Sequence, residues 1–228
     1  MSAGHWHAPV DIYCERVGTT FWAEPINALT NLAFIIAALW GVWLIRQRAR
    51  PADAVDILLI GLAASVGVGS FLWHSFAERW AELPDAGPIW VFIGVYVYRV
   101  IVGLKDNSPA RKARIALIIA AVVSVVLYFM ATGESGGANA SDPLNGTGQY
   151  APALLALVAF TLIAWRRDHP RKASVLAATL TFVAALVFRA LDMRLCALFP
   201  LGTHFLWHLS NALLVALLLD IRLRAPKS

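Results

Sequence analysis

The sequence predicts an all-α membrane protein, a bundle of seven transmembrane helices with its N-terminus outside and its C-terminus in the cytoplasm. The first observation is composition: 59% of the residues are hydrophobic, only 14% are charged, and the mean hydropathy is +0.66. A soluble domain has about 25% charged residues. The second observation is that the apolar residues form long runs, and the third is the distribution of basic residues between these runs. Together these patterns indicate a polytopic membrane protein.

Seven apolar segments follow one another along the chain. Most approach the ~20 residues that a helix needs to cross a hydrocarbon layer about 30 Å thick, although the fifth is short. Residues 1–24 lack the apolar run of a cleavable signal peptide. We therefore predict one domain over residues 1–228, with an outer segment 1–24, a helical bundle 25–221 and a cytoplasmic tail 222–228. The predicted segments are 25–46, 55–76, 86–104, 113–131, 150–165, 173–190 and 203–221.

The Lys and Arg residues determine the predicted orientation. Most of the 19 lie in the first, third and fifth loops and in the tail, which seven crossings place on one side. The opposite side has Glu78 and Glu82 in the second loop and a fourth loop, 132–149, without Lys or Arg. Positive charge accumulates on the cytoplasmic side, so topology explains the net charge of +5 and no nucleic-acid partner is predicted. The basic residues on that side are Arg46, Arg48, Arg50, Lys105, Arg111, Lys112, Arg114, Arg166, Arg167, Arg171, Lys172, Arg222, Arg224 and Lys227.

Five residues with hydrolytic chemistry fall at one depth of this predicted bundle. Ser70 and His74 lie one helical turn apart near the outer end of the second segment, and Asp85 begins the third segment at the same membrane face. His204 and His208 occupy the first two turns of the seventh segment. All five are therefore expected in the outer half of the bundle.

These five residues have the chemistry of a catalytic zinc site. Neutral imidazoles are suitable zinc ligands, and a catalytic zinc commonly has three protein ligands and a water whose pKa it lowers to about 7. Asp85 is the candidate general base, and Ser70 is the candidate donor to the developing oxyanion. A single histidine in a membrane helix is more often a hydrogen-bonded packing residue. Ionisable groups inside a bilayer are costly, however, and a cluster of them favours a functional site.

The same residues resemble those of the alkaline ceramidase family, seven-helix membrane hydrolases in one superfamily with adiponectin-receptor-type proteins. The likeness rests on SxxxH with Asp eleven residues later, and on HxxxH in the last segment. It extends to the stretches DIYCE, AEPINALTNL, GVGSFLWHSF and HFLWHLSNAL. The resemblance implies an intramembrane zinc amidase that cleaves the N-acyl bond of ceramide. The implied zinc ligands are His74, His204 and His208, with Ser70 and Asp85 as the catalytic pair.

The resemblance also implies a calcium site in the acidic N-terminal segment. Its candidate ligands are Asp11, the carbonyl of Tyr13, Glu15 and Glu24, although Asp11 is one residue out of register and Val17 replaces a family asparagine. Calcium needs six to eight oxygen ligands. The alternative is an acidic, solvated segment in which Glu24 favours the N-terminus of the first helix.

Cys14 and Cys196 both fall on the predicted outer side. A disulfide is favoured in an oxidising compartment, and the family resemblance points the same way. Two free thiols are the alternative.

Further polar residues lie near the candidate site on the first, sixth and seventh segments. They either orient a ligand or make interhelical hydrogen bonds, and the second role is expected for Asn31. An ion pair at the interface is the simpler interpretation of Arg189 and Asp192. These residues are Glu24, Asn27, Asn31, Arg189, Asp192 and Asn211.

Three functions are compatible with this pattern. One is zinc-dependent hydrolysis of a lipid amide, the second is a lipid-responsive receptor with a structural zinc, and the third is a lipid-remodelling esterase built on the same site. Ser70 and Asp85 favour an enzyme, because a structural zinc does not need them. The predicted cytoplasmic loops are short, so they give no indication of a protein partner. The predicted partner is a lipid substrate, with ceramide the first candidate, and the predicted location is a multi-pass position in the plasma (inner) membrane, if the chain is bacterial, with the site near the outer leaflet.

Overall fold

The computed structural model describes residues 6–48, 51–103 and 144–224, and within these ranges the chain is helical with a single isolated β-bridge between Pro9 and Glu78. The all-α prediction is therefore confirmed for the described residues. The predicted fourth segment, 113–131, and most of the fourth loop lie outside them. The helices are α1 Pro25–Thr30, α2 Leu32–Gln47, α3 Ala54–Phe76, α4 Arg79–Gly103, α5 Ala151–Arg166, α6 Lys172–Leu195 and α7 His204–Leu223, with a 3-10 turn Thr147–Tyr150 before α5.

Five of the described stretches are long and apolar enough to cross a membrane. They match five of the seven predicted segments, and a multi-pass membrane protein follows from them. The helix α4 corresponds to the predicted third crossing and is not among these five, and Arg79, Glu82 and Asp85 lie in its first two turns. Seven crossings and an outer N-terminus stay predictions. The five stretches are Pro25–Gln47, Ala54–Phe76, Thr147–Arg166, Lys172–Leu195 and His204–Leu223.

Two predicted boundaries were wrong in ways that matter for the site. The helix α4 begins at Arg79 rather than at residue 86, so Asp85 lies in its second turn and Pro84 is inside the helix. The sequence pattern missed this because acidic residues and prolines are typical of loops. The helix α6 continues to Leu195 rather than ending at residue 190, so Arg189 and Asp192 are buried inside its last turns.

The helix α3 has defined ends that fix the register of its functional residues. Its first turn has a capping box, in which the Asp53 side chain accepts from the Asp56 N–H at 2.8 Å and the Asp56 side chain accepts from the Asp53 N–H at 3.3 Å. Its last turn ends at Ala77, which has a left-handed backbone with φ of 45°. The final turn of α3 carries His74, so the imidazole stands at the end of the helix beside the N-terminal segment.

Two glycines of α3 allow close helix packing. A Cβ atom on Gly67 would lie 3.0 Å from the carbonyl oxygen of Asn31, at the junction of α1 and α2. A Cβ atom on Gly69 would lie only 1.8 Å from the carbonyl oxygen of Pro84 in α4. The backbone of α4 therefore rests directly on Gly69, one residue before Ser70.

A disulfide joins Cys14 to Cys196, with Cα atoms 5.4 Å apart. The predicted pairing is confirmed. Gly202, in the turn between α6 and α7, has a φ of +62°, and a Cβ atom there would lie 2.5 Å from the Cβ of Cys14. The N-terminal segment therefore lies against the start of α7, where two of the three site histidines begin.

Candidate metal centre

Three buried histidines form a group that could hold a metal ion. His74, His204 and His208 each offer a ligand atom within 4.8 Å of the others, and they are the only such group of His, Cys, Asp or Glu within the described residues. Their side chains are 1–2% exposed, and the distances between ring centres are 4.6–5.1 Å. The predicted meeting of α3 and α7 is therefore present in the structure.

Asp192 positions His204 by holding the first turn of α7. Its Oδ1 accepts from the N–H of Thr203 at 2.7 Å and from the N–H of His204 at 2.9 Å, while its Oδ2 accepts from the N–H of Cys14 at 3.1 Å. The first N–H groups of a helix have no partner within the helix, so a buried carboxylate is a stabilising cap there. The predicted interfacial ion pair with Arg189 did not anticipate this role.

Glu24 orients the ring of His74. Its Oε2 lies 2.6 Å from Nδ1 of His74 and accepts from Nδ2 of Asn27 at 3.1 Å. A carboxylate can only accept, so Nδ1 is assigned as the protonated nitrogen and Nε2 keeps its lone pair for a metal. Carboxylate–histidine–metal arrangements of this kind fix the ring and raise its basicity. The sequence leaves open whether Glu24 orients a ligand or makes an interhelical hydrogen bond, and its contact with Nδ1 of His74 is of the orienting kind.

Thr30 orients the ring of His208. Its hydroxyl lies 3.0 Å from Nδ1 of His208 and 2.8 Å from the carbonyl oxygen of Ile26 in the preceding turn. When the hydroxyl donates to this carbonyl, it accepts from the imidazole and leaves Nε2 of His208 with its lone pair. Sequence reasoning missed Thr30. The available signal was its position between Asn27 and Asn31 on the polar face of the first segment.

Within the described residues, Asn31 does not make the interhelical hydrogen bond expected of it. Its Nδ2 donates at 2.9 Å to the carbonyl oxygen of Asn27, four residues earlier in the same chain segment. Its backbone carbonyl makes the close approach to Gly67. Asn31 therefore acts at the break between α1 and α2 and through backbone packing.

The donor set fits a zinc ion. Three buried imidazoles are the ligands that a catalytic zinc takes in several enzyme classes, and two of them already have a partner on Nδ1. The Nδ1 of His204 is buried and has no hydrogen-bond partner within the described chain. A bound metal ion would offset the unfavourable burial of such a nitrogen.

Ser70 and Asp85 line the same cavity as the three histidines. Ser70 is 5% exposed and lies one turn before His74 on α3. Asp85 is partly buried, and its carboxyl interacts with the Ser70 hydroxyl and with His74. The contact of Gly69 with Pro84 is what brings this carboxyl to the site. All five residues of the predicted site therefore meet.

The sequence matches the ceramidase family over residues 7–220, which include every residue of this centre. The chain belongs to the ceramidase family. No curated protein matches it. The family membership agrees with the resemblance carried by the serine, aspartate and histidine spacing.

In this ceramidase-family protein, aromatic rings and a buried arginine border the metal centre. The ring of Tyr13 lies 4.0 Å from that of His204, centre to centre, and covers the centre from the N-terminal segment. The guanidinium carbon of Arg189 lies 5.4 Å from the ring centre of Trp207 and 6.0 Å from that of Tyr13. Such cation–π contacts stabilise a buried guanidinium. Arg189 also lines the cavity and so adds positive charge near Asp85.

The residues predicted to bind calcium have other partners. Both carboxylate oxygens of Glu15 accept backbone N–H groups, from Ile26 at 2.7 Å and Asn27 at 2.8 Å. Burial raises the pKa of Glu15 above its usual value, although these two N–H groups oppose the shift. The oxygens of Glu24 accept from His74, Asn27 and Arg16.

The remaining calcium candidates do not complete a coordination shell for calcium. Asp11 is exposed, and the carbonyl oxygen of Tyr13 accepts from the N–H of Arg16 at 3.3 Å. Calcium requires six to eight oxygens that are available to it. The arrangement of the described residues therefore does not fit a calcium ion, and the calcium site stays a prediction without a supporting contact.

Proposed function

We propose that this protein is a zinc-dependent intramembrane amidase that hydrolyses the N-acyl bond of ceramide or a related N-acyl lipid. The supporting observation is that three histidines that could hold a metal ion, a serine and an aspartate share one end of an apolar cavity. Family membership supports a hydrolase that acts on amide bonds. The products would be a fatty acid and a free amine.

The cavity has the shape and chemistry that a lipid substrate requires. Along α7 its lining extends from His204 to Leu218, which is about 21 Å at the rise of an α-helix. Beyond the polar end, the walls are apolar and aromatic, so a long acyl chain would be buried favourably. The apolar part is lined by Phe34, Val66, Phe92, Tyr96, Leu157 and Leu218, among others.

Each polar residue has a proposed task. His74, His204 and His208 would hold the zinc ion, which when bound acts as a Lewis acid and makes hydroxide accessible at neutral pH. Asp85 would accept the proton of the attacking water and deliver it to the amine nitrogen as the C–N bond breaks. Ser70 would donate a hydrogen bond to the carbonyl oxygen as it gains negative charge.

The placement of Ser70 and Asp85 favours an enzyme over a receptor with a structural zinc. A zinc that only joins α3 to α7 would have a closed ligand shell and no need for a carboxyl group in the adjoining cavity. An esterase on the same site would use the same residues, so the choice between amide and ester depends on the substrate.

The direct test is a hydrolysis assay on the purified protein in detergent. The preparation is expected to contain about one zinc per chain and to release fatty acid from a ceramide, and chelation of the zinc is expected to abolish this release. A panel of N-acyl lipids and matched esters distinguishes an amidase from an esterase. Zinc-loaded protein that hydrolyses no member of the panel would contradict the proposal.

Two substitutions separate metal binding from catalysis. His208→Ala is expected to lose zinc and activity together, whereas His169→Ala, in the loop between α5 and α6, is expected to keep both. Asp85→Asn is expected to keep zinc but to lower kcat at least 100-fold, since general-base catalysis contributes about 10²–10⁴. Asp168→Asn is the matched surface control, because that carboxyl group is exposed. Full activity in Asp85→Asn would exclude the general-base role.

A further inference from the structure

Arg16 is a buried cation at the place where the family resemblance leads one to expect calcium. Arg16 is 8% exposed, and Glu24 beside it is 1% exposed. The Nε of Arg16 donates to Oε1 of Glu24 in a buried ion pair. The other oxygen of Glu24 is the one that binds Nδ1 of His74.

The same guanidinium also binds the backbone of His74. Its Nη2 donates to the carbonyl oxygen of His74 at 2.9 Å, and its Nη1 lies 3.3 Å from the carbonyl oxygen of Gly18. The carbonyl of His74 belongs to the last turn of α3, where carbonyls have no partner within the helix and attract positive charge. Arg16 therefore holds His74 at two points, at its backbone directly and at its ring through Glu24.

Glu15 and Arg16 act on two different helix ends from adjacent positions. Glu15 accepts the first N–H groups of the segment that begins α1, and Arg16 caps the end of α3. Each charge is opposite to the partial charge at its helix end. The disulfide at Cys14 joins the preceding residue to the end of α6. This short segment thus contacts α1 next to Glu24, α3 next to His74, and α6, whose Asp192 holds the N–H of His204 at the start of α7.

We propose that Arg16 is a built-in cation that takes the place of calcium at this site, and that it positions Glu24 and His74 for metal binding without a second metal. A calcium ion would have to bind Glu24 at the oxygens that Arg16 and His74 already occupy. Arg16 is a positioning residue, since it acts on the metal centre through Glu24 and His74. The proposal rests on the proposed zinc-binding role of the histidines, but not on the identity of the substrate.

The first test uses the unmodified, zinc-loaded protein. We expect its melting temperature and its zinc affinity to be equal in millimolar calcium and in calcium-free buffer, because a ligand that does not bind the folded state cannot stabilise it. A rise in melting temperature that depends on calcium concentration and disappears on Glu24→Gln substitution would overturn the proposal.

The second test measures zinc affinity by competition with a chromophoric chelator. Arg16→Met is expected to weaken zinc binding by about 10–100-fold, the range found when a partner of a metal ligand is lost. Arg16→Lys is expected to recover part of this loss, because an ammonium can still neutralise Glu24 but cannot make the forked contacts of a guanidinium. Arg167→Met, at an exposed position, is the control and should bind zinc like the unmodified protein.

The decisive measurement is whether the effects of substituting Arg16 and Glu24 on zinc affinity are additive. If both act on the same ligand, the loss of zinc affinity in Arg16→Met/Glu24→Gln should be smaller than the sum of the losses in the two single variants, whereas independent roles would give additive losses. Unchanged zinc affinity in a folded Arg16→Met variant, or additive losses in the double variant, would overturn the positioning role. Zinc affinity and the calcium response do not involve substrate, so failure of ceramide hydrolysis would leave this inference standing.

Discussion

At the scale of single residues, the candidate metal centre depends on side chains outside the group of three histidines. The Nδ1 atoms of His74 and His208 are held by Glu24 and Thr30, and the N–H of His204 is held by Asp192. Each contact fixes a ring or a backbone that would otherwise rotate, so the ligands are pre-organised before the metal arrives. Burial makes these contacts matter more, because a buried polar group without a partner is costly.

Thr30→Val tests one of these contacts with almost no change in volume. The substitution removes the only hydroxyl on Nδ1 of His208 within the described residues, and zinc affinity is expected to fall by about 10–100-fold. Thr30→Ser keeps the hydroxyl and is expected to retain most of the affinity. Thr161→Val is the matched control, because the Thr161 hydroxyl contacts Leu157 and Thr179, away from the centre. Competition with a chelator measures the affinity, and an unchanged value for Thr30→Val would contradict this role.

At the scale of helices, the contact between α3 and α4 determines whether Asp85 reaches the site. Gly69→Ala would place a Cβ atom 1.8 Å from the carbonyl oxygen of Pro84, and neither backbone can yield cheaply. We expect a loss of at least about 1–3 kcal/mol of stability, as for overpacked cores. We also expect lower kcat, because α4 and Asp85 must move away.

Gly61→Ala is the matched control for this change. A Cβ atom there would meet nothing within 4 Å, and Ala is favoured over Gly in a helix by about 0.5–1 kcal/mol. Thermal unfolding in detergent and kcat on the same preparations give both readouts. Equal stability of Gly69→Ala and the unmodified protein would show that the approach of α4 is less tight than the structure indicates.

The Asp53 carboxyl group at the start of α3 should make the stability of the fold depend on pH. Burial raises the pKa of Asp53, but the N–H of Asp56 and the charges of Arg222 and Arg99 outweigh it and hold that pKa below its usual value. A carboxyl group whose pKa is depressed in the folded state stabilises the fold above its unfolded pKa of about 3.9, and this contribution disappears as pH falls through the lower folded pKa.

Asp53→Asn isolates this charge, since asparagine is an equally good helix cap. The variant is expected to be less stable than the unmodified protein at pH 7, with a difference that shrinks toward zero as the pH is lowered past 4. The melting temperatures of the two proteins are measured across this pH range and subtracted. Because both proteins have the same histidines, the effects of acid on the histidines cancel in this difference. A difference that stays constant with pH would contradict the assignment.

At the scale of the whole molecule, the disulfide between Cys14 and Cys196 joins residues 182 positions apart. It holds the segment that carries Tyr13, Glu15 and Arg16 against the start of α7. Cys14→Ser/Cys196→Ser is expected to lower the free energy of unfolding by about 2–4 kcal/mol, the typical contribution of a disulfide. It is also expected to weaken zinc binding, because Arg16 and the Tyr13 ring lose their anchor.

Unfolding and zinc competition with and without a reductant measure both effects. The double variant should not respond to the reductant, which makes it the internal control. A reduced protein with labelled free thiols, unchanged stability and unchanged zinc affinity would contradict a structural role of the bridge.

The sequence by itself determined the all-α class, five of the membrane-crossing segments and the five residues of the candidate site. These features are local, since apolar run length, a spacing of four residues and the chemistry of imidazole do not depend on packing. Loop charge then placed His74 and the pair His204 and His208 at one depth, and the structure brings them together.

Only the tertiary structure decided which partners these residues have. Thr30 and His208 are 178 positions apart, Glu24 and His74 are 50 apart, and Arg16 and His74 are 58 apart. The early start of α4 and the burial of Asp192 likewise follow from packing against α3 and α7. The direction of a side chain depends on how distant segments pack, and for that reason Glu24, which suggested calcium in the sequence, binds an arginine and a histidine in the fold.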